Sequence, residues 1–567
     1  MSERRGADLL CDALAAAGAR CVFGLPGTQN IALFDALRRS PLRTIVATHE
    51  LSAAMMANGH YRATGRPGVL VTIPGPGFTF ALTGLAEAFL DSVALVHVVG
   101  TGLRDGDAPF RLQALDQAAA AAPLTKARLR LDDAADIEAV VAQAFALALA
   151  GEPGPVLLEV ARHVLDDAAP AARSPVTVAA PAPRLDDATL AAIADAVGAA
   201  RRCVLFLGQG CADASDTATA LAGRLGAAVV TTTSGRGCVA EDHPLSLGFE
   251  FGGVGCATLN ALVDDADLVL AIGVKFSHNG SRGFALRIAR DKLVRIDASP
   301  AVLAAGCYPA RIAACADAPT ALNQLLAALP AARDGAPRFG EADIAQWRQR
   351  GRAETLAAQV EPNVAGAGAA AFFAALERVL PTDAVLLTDS GQHQMLARDH
   401  FRVRSPRGLV VPTNLQSMGF GIGAAIGASV AGRRAVALVG DGGFAMSGLE
   451  LLAAVRDGID VIVIVFVDHA YGMIRAQQLA ASGHAFGTRL ARFELDAFAA
   501  SIGAAYLRVD ADAEATLRKA LATRGVVVVE VPLHDSAGMH WMRAKGIARG
   551  WLGPGLRRHL HRNRSTP

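Results

Sequence analysis

Two acidic residues, Asp441 and Asp468, each follow an apolar run of β character, AVALV (435–439) and VIVIVFV (461–467). The first run passes into Gly440-Asp441-Gly442-Gly443, and a predicted helical stretch, roughly 447–455, separates it from the second. Strand, glycine turn, helix, strand reads as a parallel βαβ unit, so both carboxylates are expected at one carboxyl edge of a sheet. Two acids beside a glycine turn suit a hard cation that bridges to a diphosphate. The alternative is that each Asp caps its own turn. A third acid, Glu50, ends the strand-like segment Arg43–Glu50 and leads into a predicted helix, LSAAMMANGHYRATG. The helix dipole alone favours an acid in a first turn.

These acids need elements to hold them. Short apolar strands alternate with alanine-rich helical stretches in every third of the chain: CVFGL and GVLVTI early, CVLFLG and DLVLAIG in the middle, AVLLTD and AVALVG late. Such alternation predicts an α/β fold, here three doubly wound parallel-sheet domains. Proline-rich stretches at 168–184 and 330–362 mark the joints. They divide the chain into domains at 1–168, 185–330 and 362–540 and a basic tail at 541–567. The 567 residues carry 54 Lys and Arg against 53 Asp and Glu, with basic residues concentrated only in that tail. No nucleic-acid partner is expected, because such binding needs a basic face on a domain. Eight cysteines are scattered without a Cys-x-x-Cys pair, which argues against zinc and against a disulfide framework. The first residues lack an apolar signal core and no apolar run is long enough to span a bilayer, so a cytoplasmic protein with no membrane partner is expected.

Tyr471-Gly472-Met473-Ile474 follows the second acid, and the whole stretch resembles the thiamine-diphosphate signature: Gly-Asp-Gly, a spacer, an Asn-Asn pair and a Tyr-Gly-Met-like turn. The N-terminal third adds Gly24-Leu-Pro-Gly27, Thr48-His49-Glu50, Ile73-Pro74-Gly75-Pro76-Gly77 and Asp91-Ser92. In that order they resemble the pyrimidine-binding domain of the acetolactate synthase-like family, and the resemblance covers nearly the whole chain. It implies pyrimidine-binding, central and diphosphate-binding domains, with thiamine diphosphate and Mg²⁺ as cofactors. By it, Asp441, the Asp468 side chain and the Ala470 carbonyl hold the metal. Gly440, Gly442, Gly443, Tyr471, Gly472 and Met473 complete that cradle, and Gly27 and Gly75 bring backbone close to the cofactor. Glu50 would share a proton with N1′ of the aminopyrimidine, stabilising the imino group that removes the C2 proton. His49 reads equally well as structural.

Two further segments carry the resemblance. Asp389-Ser390-Gly391-Gln392-His393-Gln394-Met395 is similar to the family's diphosphate segment, implying Gly391, Gln392 and His393 as contacts. Gln416-Ser417-Met418-Gly419-Phe420-Gly421 is similar to the segment whose bulky apolar side chain wedges between the two thiamine rings; Met418 would be that wedge and Gln416 its neighbour. Thr28, Gln113, Lys126, Ile474 and Gln477 are implied on the substrate side, with Gln113 and Lys126 carried by Phe110-Arg-Leu-Gln113 and Pro123-Leu-Thr-Lys126.

Three departures bear on function. Asp468 stands where the family has Asn, which keeps an oxygen ligand and adds a charge. Gln477 replaces an aromatic of biosynthetic acetolactate synthases; with Arg475 and Gln478 it implies a more polar acceptor pocket. Gly273-Val-Lys275-Phe276-Ser-His-Asn279 lacks two acids and two arginines of the run found in FAD-holding relatives, which leaves FAD open. The implied activity is a 2-oxo acid decarboxylase and carboligase: CO₂ leaves, and an enamine intermediate adds to a second carbonyl acceptor. Aldehyde release, cleavage of a diketone, or a cofactor-binding subunit without catalysis are the alternatives, and Glu50 speaks against the last. Because the family's sites lie between subunits, a homodimer or homotetramer is implied.

Overall fold

Each third of the chain folds as a parallel sheet flanked by helices, and the strand orders determine where sites can form. The computed structural model describes residues 4–101, 112–168, 182–249, 256–330, 339–357, 363–492 and 494–534. In the N-terminal sheet the order is Arg43–Val46, Cys21–Gly24, Gly68–Thr72, Leu95–Gly100, Pro155–Val160, Ala127–Leu131. The central sheet runs Ile312–Cys315, Leu293–Asp297, Leu268–Ile272, Cys203–Leu207, Ala228–Thr231, Ser246–Phe249. The C-terminal sheet has Val526–His534, Val461–Val467, Ala435–Gly440, Val385–Thr388 and Leu409–Val410 in that order, with Ala505–Arg508 beside the first. A short antiparallel hairpin, Asn363–Val364 and Ala367–Gly368, extends one edge. The strands are Val/Ile/Leu-rich because helices cover both faces; six consecutive residues of VIVIVFV are buried.

In each sheet the chain winds outward in one direction, then returns to the centre and winds the other way. The reversals fall between Cys21–Gly24 and Gly68–Thr72, between Cys203–Leu207 and Leu268–Ile272, and between Val385–Thr388 and Ala435–Gly440. Loops leaving the two strands on opposite faces open a crevice there, at the carboxyl edge.

The terminal domains are packed as one body. Their apolar core is continuous from Leu10 through Phe420 to Val528, whereas the central sheet keeps its own cores on either face. Helix Glu50–Thr64 lies in backbone contact with helix Phe420–Val430. A side chain on Gly427 would stand 1.9 Å from the Met56 carbonyl oxygen, and one on Gly59 2.1 Å from that of Ala424. No helix among the described residues is long and apolar enough to cross a membrane.

Candidate active site

Three adjacent strands of the C-terminal sheet deliver Asp389, Asp441 and Asp468 to one edge, immediately past Thr388, Gly440 and Val467. The expected glycine turn is tighter than a loop: Gly440 is the cap, and Asp441 already begins a helix, Asp441–Ser447. Asp441 accepts from the Gly442 amide at 2.9 Å and the His469 amide at 2.6 Å. Asp468 accepts from the Ala470 amide at 3.0 Å. Burial first, and the facing Asp468 second, push the Asp441 carboxyl up to about 6. A cation between these two acids would relieve that repulsion. No third His, Cys or carboxylate joins them among the described residues. A metal there would complete its shell from carbonyl, water and phosphate oxygens, the way Mg²⁺ is held in phosphate sites.

The loop that carries the second acid is under strain and pinned. His469 sits at φ 54, a region costly for a non-glycine residue. Residues 488–490 hold it there: the Tyr471 amide donates to the Thr488 carbonyl at 2.8 Å, and the Leu490 amide donates to the His469 carbonyl at 2.9 Å. Ala470 lies opposite Arg489 in an antiparallel bridge. Gly472 leaves room for two polar groups, since a Cβ there would meet the Asp468 carboxylate at 2.2 Å and Gln392 Oε1 at 3.0 Å and displace them. Thus Gln392, Gly472 and Asp468 converge. Gly442 lies under the Tyr471 ring.

Asp389, which the sequence reading did not single out, organises the rest of this edge. Its carboxylate accepts from the Ser390 amide at 2.7 Å and from the Gly419 amide at 2.9 Å, fixing the turn that follows Met418. Complete burial raises it to about 6. His393 is bound up with the same turn. Its ring is buried, contacts the Asp389 carbonyl oxygen through Nε2 at 2.9 Å and lies against both Gly391 and Gly440. Burial lowers it to about 4, so it is a neutral spacer between the two turns. Gln416 sits at φ 59 with its amide donating to the Thr413 carbonyl at 3.2 Å. Met418 is half-buried beside it.

At the N-terminal switch point, Glu50 is the first residue of helix Glu50–Thr64; His49 is its cap and accepts from the Leu51 amide. The Thr48 amide and hydroxyl both donate to Glu450 of the C-terminal domain, at 2.9 and 2.6 Å. The half-buried Glu50 carboxylate itself has no hydrogen-bond or ion-pair partner among the described residues. A Cβ on Gly77 would sit 3.1 Å from its Oε1, and one on Gly27 would strike Ile73 at 2.6 Å. Gly75 has φ 66, and its amide donates to Gln117 Oε1 at 3.1 Å. Gln117 in turn reaches the Gly100 carbonyl and Glu159. Gln113, at φ 63, packs its Cβ against Gly75. Glu50, Gly27, Gly75, Gly77 and Gln113 are therefore one cluster, with exposed Thr28 on the adjoining short turn.

Some implied residues are not brought in. Lys126 precedes strand Ala127–Leu131 and so lies at the amino edge of the sheet, opposite Glu50; its ammonium donates to the Ala150 carbonyl at 2.6 Å. Gln478 is spent on folding, its amide bonded to both the N–H and the carbonyl of Phe486. Gln477, Arg475 and Ile474 do follow the Asp468 loop, on helix Gly472–Ser482. Phe110 and the 541–567 tail lie outside the described residues.

A separate cavity of about 290 Å³ occupies the central switch point, lined by Gln209, Gly210, Gly273, Lys275 and Asp297 and reaching Asp91, Thr413 and Asn414 of the other domains. Its two cations are engaged: Lys275 pairs with Glu152 at 2.5 Å and Arg407 with Asp213 at 2.8 Å. Asp91, Glu152, Asp213, Asp297 and Asp317 outnumber them in the described walls.

Family models match the chain in the order of its sheets. The thiamine pyrophosphate enzyme N-terminal TPP binding domain covers residues 4–120, the central domain 190–325, and the C-terminal TPP binding domain 389–531. A probable acetolactate synthase 2, chloroplastic, of Oryza sativa subsp. japonica is 34% identical over 491 residues, 84% of this chain and 72% of that protein. The acetolactate synthase large subunit of Parasynechococcus marenigrum (strain WH8102) is 32% identical over 490 residues, 83% and 78% respectively. An acetolactate synthase, chloroplastic, of Arabidopsis thaliana is 30% identical over 481 residues, 83% and 71%. The chain belongs to the thiamine-diphosphate enzymes, with acetolactate-synthase-like homology across most of its length.

Proposed function

We propose that this protein is a thiamine-diphosphate- and Mg²⁺-dependent enzyme that decarboxylates a 2-oxo acid and joins the remaining fragment to a second carbonyl. The observation that carries the reading is the Glu50 carboxylate, held over Gly77 at a switch point and without another partner among the described residues. A binding-only protein has no use for a positioned, unspent acid there. When bound, thiamine diphosphate supplies the electron sink for loss of CO₂ and the nucleophilic carbon for the new bond. Glu50 would hold a proton at N1′ of the aminopyrimidine. Asp441, Asp468 and the Ala470 carbonyl would hold Mg²⁺ on the diphosphate, with Gly391 and Gln392 against it. Met418 would set the angle between the rings. No flavin step is part of the reading.

Met446, Leu449, Leu452 and Val455 are exposed, at 57, 64, 42 and 36%, along the segment that follows Asp441. An apolar stripe beside half a site suits burial against a second copy, in keeping with a dimer as the smallest active unit. On the acceptor side, the Arg475 guanidinium has no ion pair among the described residues, and Gln477, two positions on along the same helix, is half-buried. A polar group facing an apolar acceptor loses a hydrogen bond that a polar acceptor restores. The acceptor is therefore expected to carry a hydroxyl, amide or carboxylate.

The test is a screen of 2-oxo acids for CO₂ release by the purified protein, with and without aldehyde acceptors. Release should require both cofactors, with pyruvate self-condensation slow and polar partners faster. Gln477→Trp should move the preference toward pyruvate and 2-oxobutyrate. Efficient acetolactate formation by the wild type, with no gain from any polar partner, would remove the polar-pocket reading. No CO₂ from any 2-oxo acid would remove the enzymatic one.

A further inference from the structure

Between strand Leu409–Val410 and helix Phe420–Val430 runs a segment without regular structure that ends at Gln416-Ser417-Met418. Backbone this far from a ladder must find other hydrogen-bond partners, and the amides of Thr413, Asn414 and Ser417 find theirs on one helix of the N-terminal domain and its cap. Asp91 accepts from the amides of Thr413 and Asn414 at 2.8 and 3.0 Å and from the Asn414 side chain at 2.8 Å. Glu87, one turn earlier on the same face, accepts from both the amide and the hydroxyl of Ser417 through a single oxygen, at 3.1 and 2.6 Å. Arg62 pairs with Asp91 at 3.1 Å and lies over the Phe420 ring, 5.9 Å from its centre. All three charged side chains are buried. The carboxylates sit at the carboxyl end of helix Pro76–Leu90, whose amino end is the Gly75–Gly77 turn under Glu50.

From this geometry we infer that the carboxyl end of helix Pro76–Leu90 fixes the turn that carries Met418, and that Glu87 and Asp91 are positioning residues for the reaction. The inference rests on the thiamine-diphosphate reading for its consequence, but the clamp itself is a property of the folded chain. Glu87 is a poor choice for stability alone. Its other oxygen is buried with no hydrogen-bond partner, and leaving such a group unsatisfied is destabilising where an apolar side chain would not be. Burial, then the nearby Asp91, raises its carboxyl above the ordinary range, while Ser417 and Arg62 oppose that. A group kept at that expense is explained by what it holds. Ser417 is the residue before Met418, and the Gly419 amide beyond is held by Asp389. The turn carrying Met418 is thus gripped on both sides, by one carboxylate from each terminal domain.

Hydrogen exchange at residue resolution on the full-length, cofactor-free protein tests the clamp without any catalytic readout. In Glu87→Ala the Ser417 amide should exchange about tenfold faster or more, the scale of a lost hydrogen bond to a charged group, while Thr413 and Asn414 stay protected. Asp91→Ala should give the reverse pattern, and Glu87→Gln, which still offers an acceptor oxygen, should restore much of the Ser417 protection. In the loaded protein, Glu87→Ala should bind thiamine diphosphate within about threefold of wild type yet exchange the cofactor's C2 proton about tenfold more slowly. Glu87→Gln should recover that rate. Ser417→Ala, which removes only the hydroxyl contact, should show a smaller effect of the same sign and serves if Glu87→Ala does not fold. Unchanged Ser417 protection in both variants would overturn the inference, as would uniform loss of protection across the domain. Wild-type protein that fails to bind the cofactor would overturn the functional reading instead, leaving the exchange result on the clamp to stand or fall separately.

Discussion

The two terminal domains place carboxylates at the same topological position and treat them in opposite ways. At the C-terminal switch point the acids are crowded and already loaded with backbone donors: Asp389 and Asp441 each accept from two different amides, and Asp441 faces Asp468. At the N-terminal one Glu50 stands half-exposed with a glycine against it and no partner among the described residues. A carboxylate immobilised by amides and paired with a like charge is suited to a metal. One left unspent is suited to moving or sharing a proton. The fold supplies the edge, and local hydrogen bonding decides the chemistry.

If that contrast holds, removing one acid from each site should fail differently. Asp441→Ala is expected to have the largest effect, abolishing retention of thiamine diphosphate because the bridging cation loses a ligand. Calorimetry with Mg²⁺ present would read it, and wild-type affinity in the variant would dissolve the contrast. Glu50→Gln should keep cofactor affinity and lose turnover by roughly a hundredfold or more, the scale for a positioned acid–base group. Exchange of the cofactor's C2 proton at the wild-type rate would show the acid to be structural after all.

Two smaller effects sharpen the comparison. Asp389 is held above its ordinary value by burial, so the folded protein keeps this proton to a higher pH than the unfolded chain does. Its contribution to stability is fully present below the unfolded pKa and is lost as pH rises from about 4 to about 6. Asp389→Asn should remove that part of the slope, on the order of 1–3 kcal/mol, in denaturant titrations of the cofactor-free protein. An unchanged slope would mean that Asp389 titrates as an ordinary surface acid. Asp468→Asn should matter least, with cofactor affinity within about threefold, since an amide oxygen can still ligate; a loss as large as that of Asp441→Ala would mean the extra charge is needed.

Much of this was legible from local pattern. Apolar runs such as VIVIVFV and GVLVT became strands at the expected places, because a strand buried on both faces must be apolar throughout. Once the strands are known, residues just past them fall at the carboxyl edge, which is how Glu50, Asp441 and Asp468 were found. Lys126 shows the limit of motif matching. It precedes the alternating strand ARLRL, and that alternation was the signal that it belongs at the opposite edge. Boundaries were less legible: Asp441 proved to be a first helical residue rather than a turn residue, and the strand before Glu50 ends at Val46.

The sequence by itself determined the α/β class, the switch-point acids and the family, since each rests on the types and spacing of residues within a few turns of one another. Only the tertiary structure decided which carboxylates are spent and which are free. Asp91 meets Thr413 across 322 residues, Glu87 meets Ser417 across 330 and Thr48 meets Glu450 across 402. None of these pairs leaves a local trace, because a side chain's partner is set by which helix packs over which loop. Glu87 and Gln117 therefore became visible only when the sheets were assembled, as did the partners of Asp91 and Asp389. The physical reason is range: periodicity encodes an element and its buried face, whereas satisfying a buried charge depends on whatever the rest of the chain brings within 3 Å of it.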